Sequence, residues 1–418
     1  MSRWIRRLAW LEPFWILLLG LPITFPGRFL PAQDHPVLLA ALFLFWPLRW
    51  LATGRLHRRT PMDWSLAFLL LWLPVNLWAS VDLSVSWVAA GHLLFGFTLC
   101  VALVNWPPAQ KRPQLVAWAM LTLGGSLALL APSITAWKKE FRLFRLPAVY
   151  GFFQSISLDL GETIHANLLA GLLVMALPLF VALALFWKEG RRWQRWLFGL
   201  FALLLLAILV LTQSRGGYLA GAVALALVLA LRWPRLFYVT PLILVAGLAL
   251  ALWLGPSQVL EVVGGDSTFG GANFRLEMWT NALYALSDFV FTGIGIGTFR
   301  QVMPLLYPFV SITPGSPSFT HAHNLYLQIG VDLGLPGLIA WLALILVLFA
   351  LLFPRVRRRD GSLEWVLALG ALGGLTAMLV HGLLDAVTWG TKLAFYPWML
   401  YALIVLLGQK EATSRREM

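Results

Sequence analysis

Residues 164–233 read IHANLLAGLLVMALPLFVALALFWKEGRRWQRWLFGLFALLLLAILVLTQSRGGYLAGAVALALVLALRW. They contain three apolar runs, at roughly 164–187, 196–213 and 217–233, each near the ~20 residues that cross a hydrocarbon core as a helix. Lys188, Arg191, Arg192 and Arg195 separate the first run from the second. Only Thr212-Gln213-Ser214-Arg215-Gly216-Gly217 separates the second from the third. Runs of this kind read as membrane helices, because lipid offers no partner to unpaired backbone polar groups.

The same pattern fills the rest of the chain. The 418 residues are 60% hydrophobic and 12% charged, with a mean hydropathy of +0.80. Soluble domains carry about 25% charge, so a soluble globular class is excluded. Apolar run length gives about twelve spans, at roughly 9–25, 36–52, 62–80, 85–104, 114–131, 164–187, 196–213, 217–233, 236–254, 323–353, 364–385 and 393–408. The expected fold class is all-α, a polytopic transmembrane helical bundle. Residues 1–254 hold nine spans, 255–322 form a large outward loop with short amphipathic helices, and 323–418 hold three more spans. The first block is broken by Pro22 and Pro26, and it lacks the small-residue cleavage site of a signal peptide. Trp10, Trp50, Trp87, Trp106, Trp187 and Trp233 stand near block ends, where an amphipathic ring suits the lipid boundary. Cys100 is the only cysteine and lies in an apolar block, so no intramolecular disulfide can form.

The net charge of +13 suggests nucleic acid until its distribution is examined. With a cytoplasmic N-terminus, the inward segments hold Arg3, Arg6, Arg7; Arg49, Arg55, Arg58, Arg59; Lys111, Arg112; Lys188, Arg191, Arg192, Arg195; Arg232, Arg235; Arg355, Arg357, Arg358, Arg359; and Lys410, Arg415, Arg416. The other nine of the 31 basic residues are Arg28, Lys138, Lys139, Arg142, Arg145, Arg215, Arg275, Arg300 and Lys392. Every short inward loop is basic, as the positive-inside rule requires. The charge is therefore a topology signal to which anionic lipid adds. No nucleic-acid partner is expected, and both termini face the cytoplasm.

Two outward segments, roughly 132–163 and 255–322, exceed what a connector needs. In the second, Arg275-Leu-Glu-Met-Trp279 through Leu283, Leu286 and Val290 has apolar residues at helical spacing, an amphipathic helix at the outer surface. Gly293-Ile294-Gly295-Ile296-Gly297 lacks the setting of a nucleotide fingerprint and reads as a tight turn back toward the bundle.

Several polar residues stand at span ends. Arg215 is either a solvated arginine in a short turn or an anion-binding arginine at the outer mouth, with adjacent glycines that permit close approach. His321 and His323 lie two apart, which on a helix would turn their rings about 200° from each other. No cysteine or acidic pair nearby completes a zinc set, so neither metal nor cofactor is expected. A histidine at the membrane mouth can instead accept a proton near neutral pH, or simply anchor the interface. His165 and Asn167 begin the sixth span, and His381 and Asp385 end the eleventh, one helical turn apart. Asp332 lies within the tenth span and needs a polar partner.

Three pieces of the chain together resemble the superfamily of O-antigen ligases and polymerases, bacterial membrane glycosyltransferases. They are Ser214-Arg215-Gly216; Asn273-Phe274-Arg275-Leu276-Glu277-Met278-Trp279 with Phe291-Thr-Gly-Ile-Gly-Ile-Gly297-Thr-Phe299; and His323-Asn324, nine residues, then Gly334-Leu335-Pro336-Gly337. The resemblance spans about residues 200–340 by motif and the whole chain by span layout. It implies a GT-C-like helical membrane enzyme that takes a glycan from an undecaprenyl-diphosphate donor, on the outer face of the bacterial cytoplasmic (inner) membrane. The acceptor is a glycan, lipid or protein, and neither nucleotide nor metal is used. By motif, Arg215 and Arg275 would bind the diphosphate and His323 would be catalytic, with His321 and Asn324 as substrate contacts. Arginine supplies bidentate contacts to phosphate, and a neutral imidazole suits removal of the acceptor's proton.

The motif leans toward a ligase acting on lipid A-core or another terminal acceptor. A polysaccharide polymerase and a protein O-oligosaccharyltransferase remain alternatives within the superfamily. A twelve-span transporter is the alternative of another class, weakened by the lack of an evident internal repeat and of polar residues at the midplane.

Overall fold

A computed structural model of the chain describes residues 3–25, 29, 35–137, 146–158, 163–238, 249, 272–309 and 321–417. In chain order its helices are α1 (Arg3–Ala9), α2 (Glu12–Thr24), α3 (His35–Leu42), α4 (Phe45–Thr53), α5 (Asp63–Trp78), α6 (Leu83–Asn105), α7 (Pro107–Lys111), α8 (Gln114–Ile134), α9 (Pro147–Ser155), α10 (Ala166–Phe186), α11 (Arg192–Thr212), α12 (Arg215–Arg232), α13 (Ala272–Asp288), α14 (Phe299–Leu306), α15 (Leu325–Val356), α16 (Leu363–Gly382) and α17 (Phe395–Glu417). Two-residue strands β1 (Thr135–Ala136) and β2 (Ile164–His165) pair in parallel and lead the chain into α10.

The all-α membrane architecture holds. Among the described residues eight helices, counting Pro36–Thr53 as one, are long and apolar enough to cross a membrane. Three shorter apolar helices, Glu12–Thr24, Asp63–Trp78 and Phe395–Gln409, match three more of the expected blocks. The expected ninth span, 236–254, lies almost wholly outside the described residues, as do Arg28, Lys138, Lys139, Arg142 and Arg145.

Helix α10 is the centre. It is apolar all round and buried along most of its length, packed by α8, α11, α12 and α16. Gly370 and Gly374 of α16 bring that backbone against Leu179 and Met175 of α10, the small-residue packing that membrane helices use in place of a hydrophobic drive. The two ends of the bundle differ in chemistry. At one end Lys188 N donates to Gly361 O (3.3 Å), Arg355 pairs with Glu364 (3.0 Å), and buried Arg49 pairs with Glu12. At the other end stand the N-termini of α10, α12 and α15 and the C-terminus of α16.

The segment after α13 is the expected return turn. Gly293 and Gly295 have φ of +67° and +101°, which side chains rarely adopt, and the turn presses onto the middle of α15. Ile294 N donates to Val331 O (2.9 Å) and Leu335 N donates to Val290 O (2.7 Å). These bonds hold α15 open at a kink where Gly334 has φ +71° and ψ 178°. A Cβ on Gly334 would overlap the Phe291 carbonyl. Asn76 of α5 locks the turn, accepting from Ile296 N (2.9 Å) and donating to the Thr292 carbonyl (2.9 Å) and to that of Asp332. Helix α13 buries Met278, Ala282 and Ala285 against α14 and the turn, while Leu283 is exposed. Its inner face is thus rotated from the one expected, because the short Ala side chains face the bundle.

Candidate functional site

The site grows from residues 321–324. Asn324 caps α15: its Oδ1 accepts from Tyr326 N and Leu327 N (3.0 Å each), and its Nδ2 donates to Leu383 O at the end of α16 (3.2 Å). His323 precedes it at φ +48°, a rare conformation for a side-chain-bearing residue, and one that tertiary contacts must enforce. They are present at the next peptide back. Ala322 N donates to Gln328 Oε1 (2.7 Å), and Trp279 Nε1 donates to Ala322 O (3.1 Å). Gln328 in turn donates to Asp332 Oδ1 (2.9 Å), which also receives Gly297 N (3.3 Å), while Trp389 Nε1 donates to Oδ2 (2.9 Å). The buried carboxylate in the span thus has its partners, and they tie the return turn to the histidine turn.

The histidines therefore precede the helix, contrary to the 200° separation expected on one. Their rings lie 4.3 Å apart at 59°. Both face Asp385, which is 4% exposed. His321 Nε2 lies 3.5 Å and His323 Nδ1 3.4 Å from Asp385 Oδ1. Asp385 Oδ1 also accepts from Ala386 N (2.9 Å), and Asn167 Nδ2 donates to Oδ2 (2.9 Å). Helix α16 ends at Gly382, so the expected pairing of His381 with Asp385 is a backbone bond, Asp385 N to His381 O (3.0 Å), and the carboxylate turns to the other histidines.

A hydrogen bond assigns the tautomer of His321, and the neighbouring charge assigns that of His323. His321 Nδ1 accepts from His323 N (3.1 Å), so the neutral ring carries its proton on Nε2, toward Asp385. His323 turns Nδ1 to the same carboxylate, which makes Nδ1 the protonated nitrogen and Nε2 the basic one. Burial pushes His321 down to about 4, against the opposing pull of Asp385. Burial alone would raise Asp385, but His321 and His323 outweigh it and hold the carboxyl below its ordinary range.

Arg275 is mostly buried on α13, with Nε lacking a hydrogen-bond partner among the described residues. Burial lowers its pKa, and the nearby Asp385 charge opposes this. Arg215 is the first residue of α12, capped by Ser214, whose Oγ accepts from Gly217 N (3.2 Å). A Cβ on Gly216 would lie 3.3 Å from Leu384 Cβ, so Arg215 enters at the same corner as Asp385. All five residues singled out from sequence gather at one end of the bundle. Sequence reasoning missed the roles of Asp385 and Asn167, which come from distant helix ends; their only signal was polarity at a span boundary.

The ligand atoms of His321, His323 and Asp385 lie within 4.8 Å of one another, spacing that a divalent cation could use. Contrary to the expectation from sequence, the two histidines converge and have an acidic neighbour, so geometry does not exclude a metal.

No curated protein matches the chain. A family model described as O-antigen ligase matches residues 200–342, a stretch that runs from α11 to the first half of α15 and includes Arg215, Arg275, His321 and His323. Over this third of the chain, which holds the candidate site residues, the protein is similar to the O-antigen ligase family.

Proposed function

We propose that the chain is a metal-independent membrane glycosyltransferase of the O-antigen ligase type. It transfers a glycan from an undecaprenyl-diphosphate donor to lipid A-core or another terminal acceptor on the outer face of the cytoplasmic membrane. The observation that carries this is the pairing of His323 Nδ1 with Asp385, which leaves Nε2 as the base. The acceptor hydroxyl attacks the anomeric carbon as its proton passes to His323 Nε2. The bond from that carbon to the phosphate oxygen breaks, and the lipid diphosphate departs with the electron pair. Arg215 and Arg275 stabilise the accumulating negative charge. Both histidines turn a ring nitrogen toward Asp385, at 3.5 and 3.4 Å, so their N–H groups can serve the carboxylate without a cation. Asn324 holds the turn, and His321 braces His323 through its backbone N–H.

Twelve spans in a GT-C-like arrangement, with both termini cytoplasmic and an outward loop at 255–322, put this corner on the outer face. That orientation rests on the basic loops at the other end. The test is transfer by purified protein supplied with lipid-linked glycan. His323→Ala should lose about 10²–10⁴ in rate while remaining folded, and His321→Ala should lose much less. An active His323→Ala beside a dead His321→Ala would reverse the assignment.

A further inference from the structure

Two buried nitrogens at this corner lack a hydrogen-bond partner among the described residues, Nε of Arg275 and Nε2 of His381. His381, 1% exposed, lies in the last turn of α16 with its ring between two glycines of neighbouring helices. A methyl group built on Gly171 of α10 would lie 3.3 Å from its Cε1, and one on Gly216 of α12 would lie 3.6 Å from its Cδ2. Nε2 is bonded to both of these carbons, so it faces the seam between α10 and α12 at the start of α12. Arg275 is close enough for its charge to act on His381, His321 and Asp385.

Buried polar atoms without partners are rare, and each needs a cause. A filler ring here could be apolar and would fit the glycines equally well. The His381 ring lies against Gly216 at the start of an 18-residue helix, where backbone N–H groups and the helix dipole favour an anion, and the charge of Arg275 reaches it. Asp385 does not fill the gap: neither nitrogen bonds to it, and its oxygens receive Asn167 and Ala386 instead. The missing partner is an acceptor with several oxygens and negative charge.

We propose that His381 donates its Nε2–H to a non-bridging phosphate oxygen of the donor's diphosphate, alongside Arg275 at the start of α12. This rests on the glycan-transfer function proposed above and adds a ligand-binding residue to it. Such a contact exists in the bound ground state and in the transition state alike, so its loss appears in KM and not in kcat.

His381→Phe keeps a ring and removes the N–H. The probe is inorganic diphosphate, its Kd measured by calorimetry on the purified full chain, together with KM for the lipid-linked donor. Kd and donor KM should rise together by about tenfold or more, as for a hydrogen bond to a charged group. The acceptor KM should stay unchanged, and His381→Gln, which restores an N–H, should recover part of the loss. If the Phe variant does not fold, His381→Val and His381→Asn, both smaller than histidine, supply the same comparison. Failure of the wild-type chain to bind diphosphate, or an unchanged Kd in the apolar variants, overturns the proposal. A raised Kd with unchanged donor KM would assign the site to a lipid headgroup phosphate and overturn it equally. His323→Ala separates the two levels: full activity there defeats the transfer mechanism, whereas a dead His323→Ala beside an unchanged Kd in His381→Phe defeats only this contact.

Discussion

Replacing Asp385 by Asn keeps the shape of the side chain and removes its charge, which separates orientation from electrostatics in the histidine cluster. The amide can leave its oxygen where Oδ1 now accepts from Ala386 N, provided its nitrogen faces Asn167. Asn167 can then turn its own amide so that its oxygen accepts. The fold should therefore survive. What is lost is the negative charge 3.4 Å from His323 Nδ1. An imidazolium forming at that distance gains about 5 kcal/mol at an effective dielectric near 20. The residual dipole of the new amide reduces the difference to about 3–5 kcal/mol, a rate loss of about 10²–10⁴. Single-turnover transfer at saturating lipid-linked donor isolates this step. The expected result is that loss, with donor affinity and the thermal midpoint in detergent close to wild type. Turnover within about threefold of wild type in a folded Asp385→Asn protein would refute the claim that Asp385 supports a base at His323.

Exhaustive chelation should leave transfer intact, measured with EDTA and with metal content checked by elemental analysis; loss of turnover restored by a divalent cation would convert the histidine–aspartate cluster into a metal centre. Gly334→Ala should destabilise by about 3 kcal/mol or more, since backbone strain is joined by overlap with the Phe291 carbonyl. Gly54→Ala, at φ +73° with no atom within 4 Å, should cost about 1 kcal/mol in the same denaturation assay. His321, held down to about 4 by burial, stays neutral in the fold under conditions where the unfolded chain, titrating near 6.5, is protonated. Between those values the unfolded state binds the extra proton, so stability should rise with pH from about 4 to about 6.5 and then level off. His321→Gln should flatten that slope, as read from thermal midpoints across the window; an unchanged slope would contradict it.

The membrane helices were legible because apolar run length answers directly to bilayer thickness, and the basic loops mark one end of the bundle without reference to tertiary structure. The inner face of α13 is not legible in the sequence because Ala282 and Ala285 carry little hydrophobic signal, whereas Leu283 carries much and faces out. On a helix His321 and His323 could not converge, and the sequence places them at the opening of a span. Nothing local in the sequence announced that the helix would wait for Asn324, or that His323 would take a left-handed conformation. Asp385 sits 62 positions after His323 in the chain, and its approach depends on α16 ending one turn earlier than its apolar run suggests.

The motif spacing has a physical cause that follows from these contacts. Between Asn324 and Gly334 lie nine residues, about two and a half helical turns. One end of that segment must be capped, and Asn324 does so while tethering the end of α16. The other end must open, and Gly334 does so against the return turn after α13. In between, Gln328 and Asp332 stand one turn apart on a shared face. Through them the return turn reaches Ala322, the residue between the two histidines. A segment one residue longer would rotate that face by about 100° and break the chain of hydrogen bonds. Asn324 and Gly334 thus serve architecture, Gln328 and Asp332 carry the constraint, and the strained φ of His323 is what the constraint maintains.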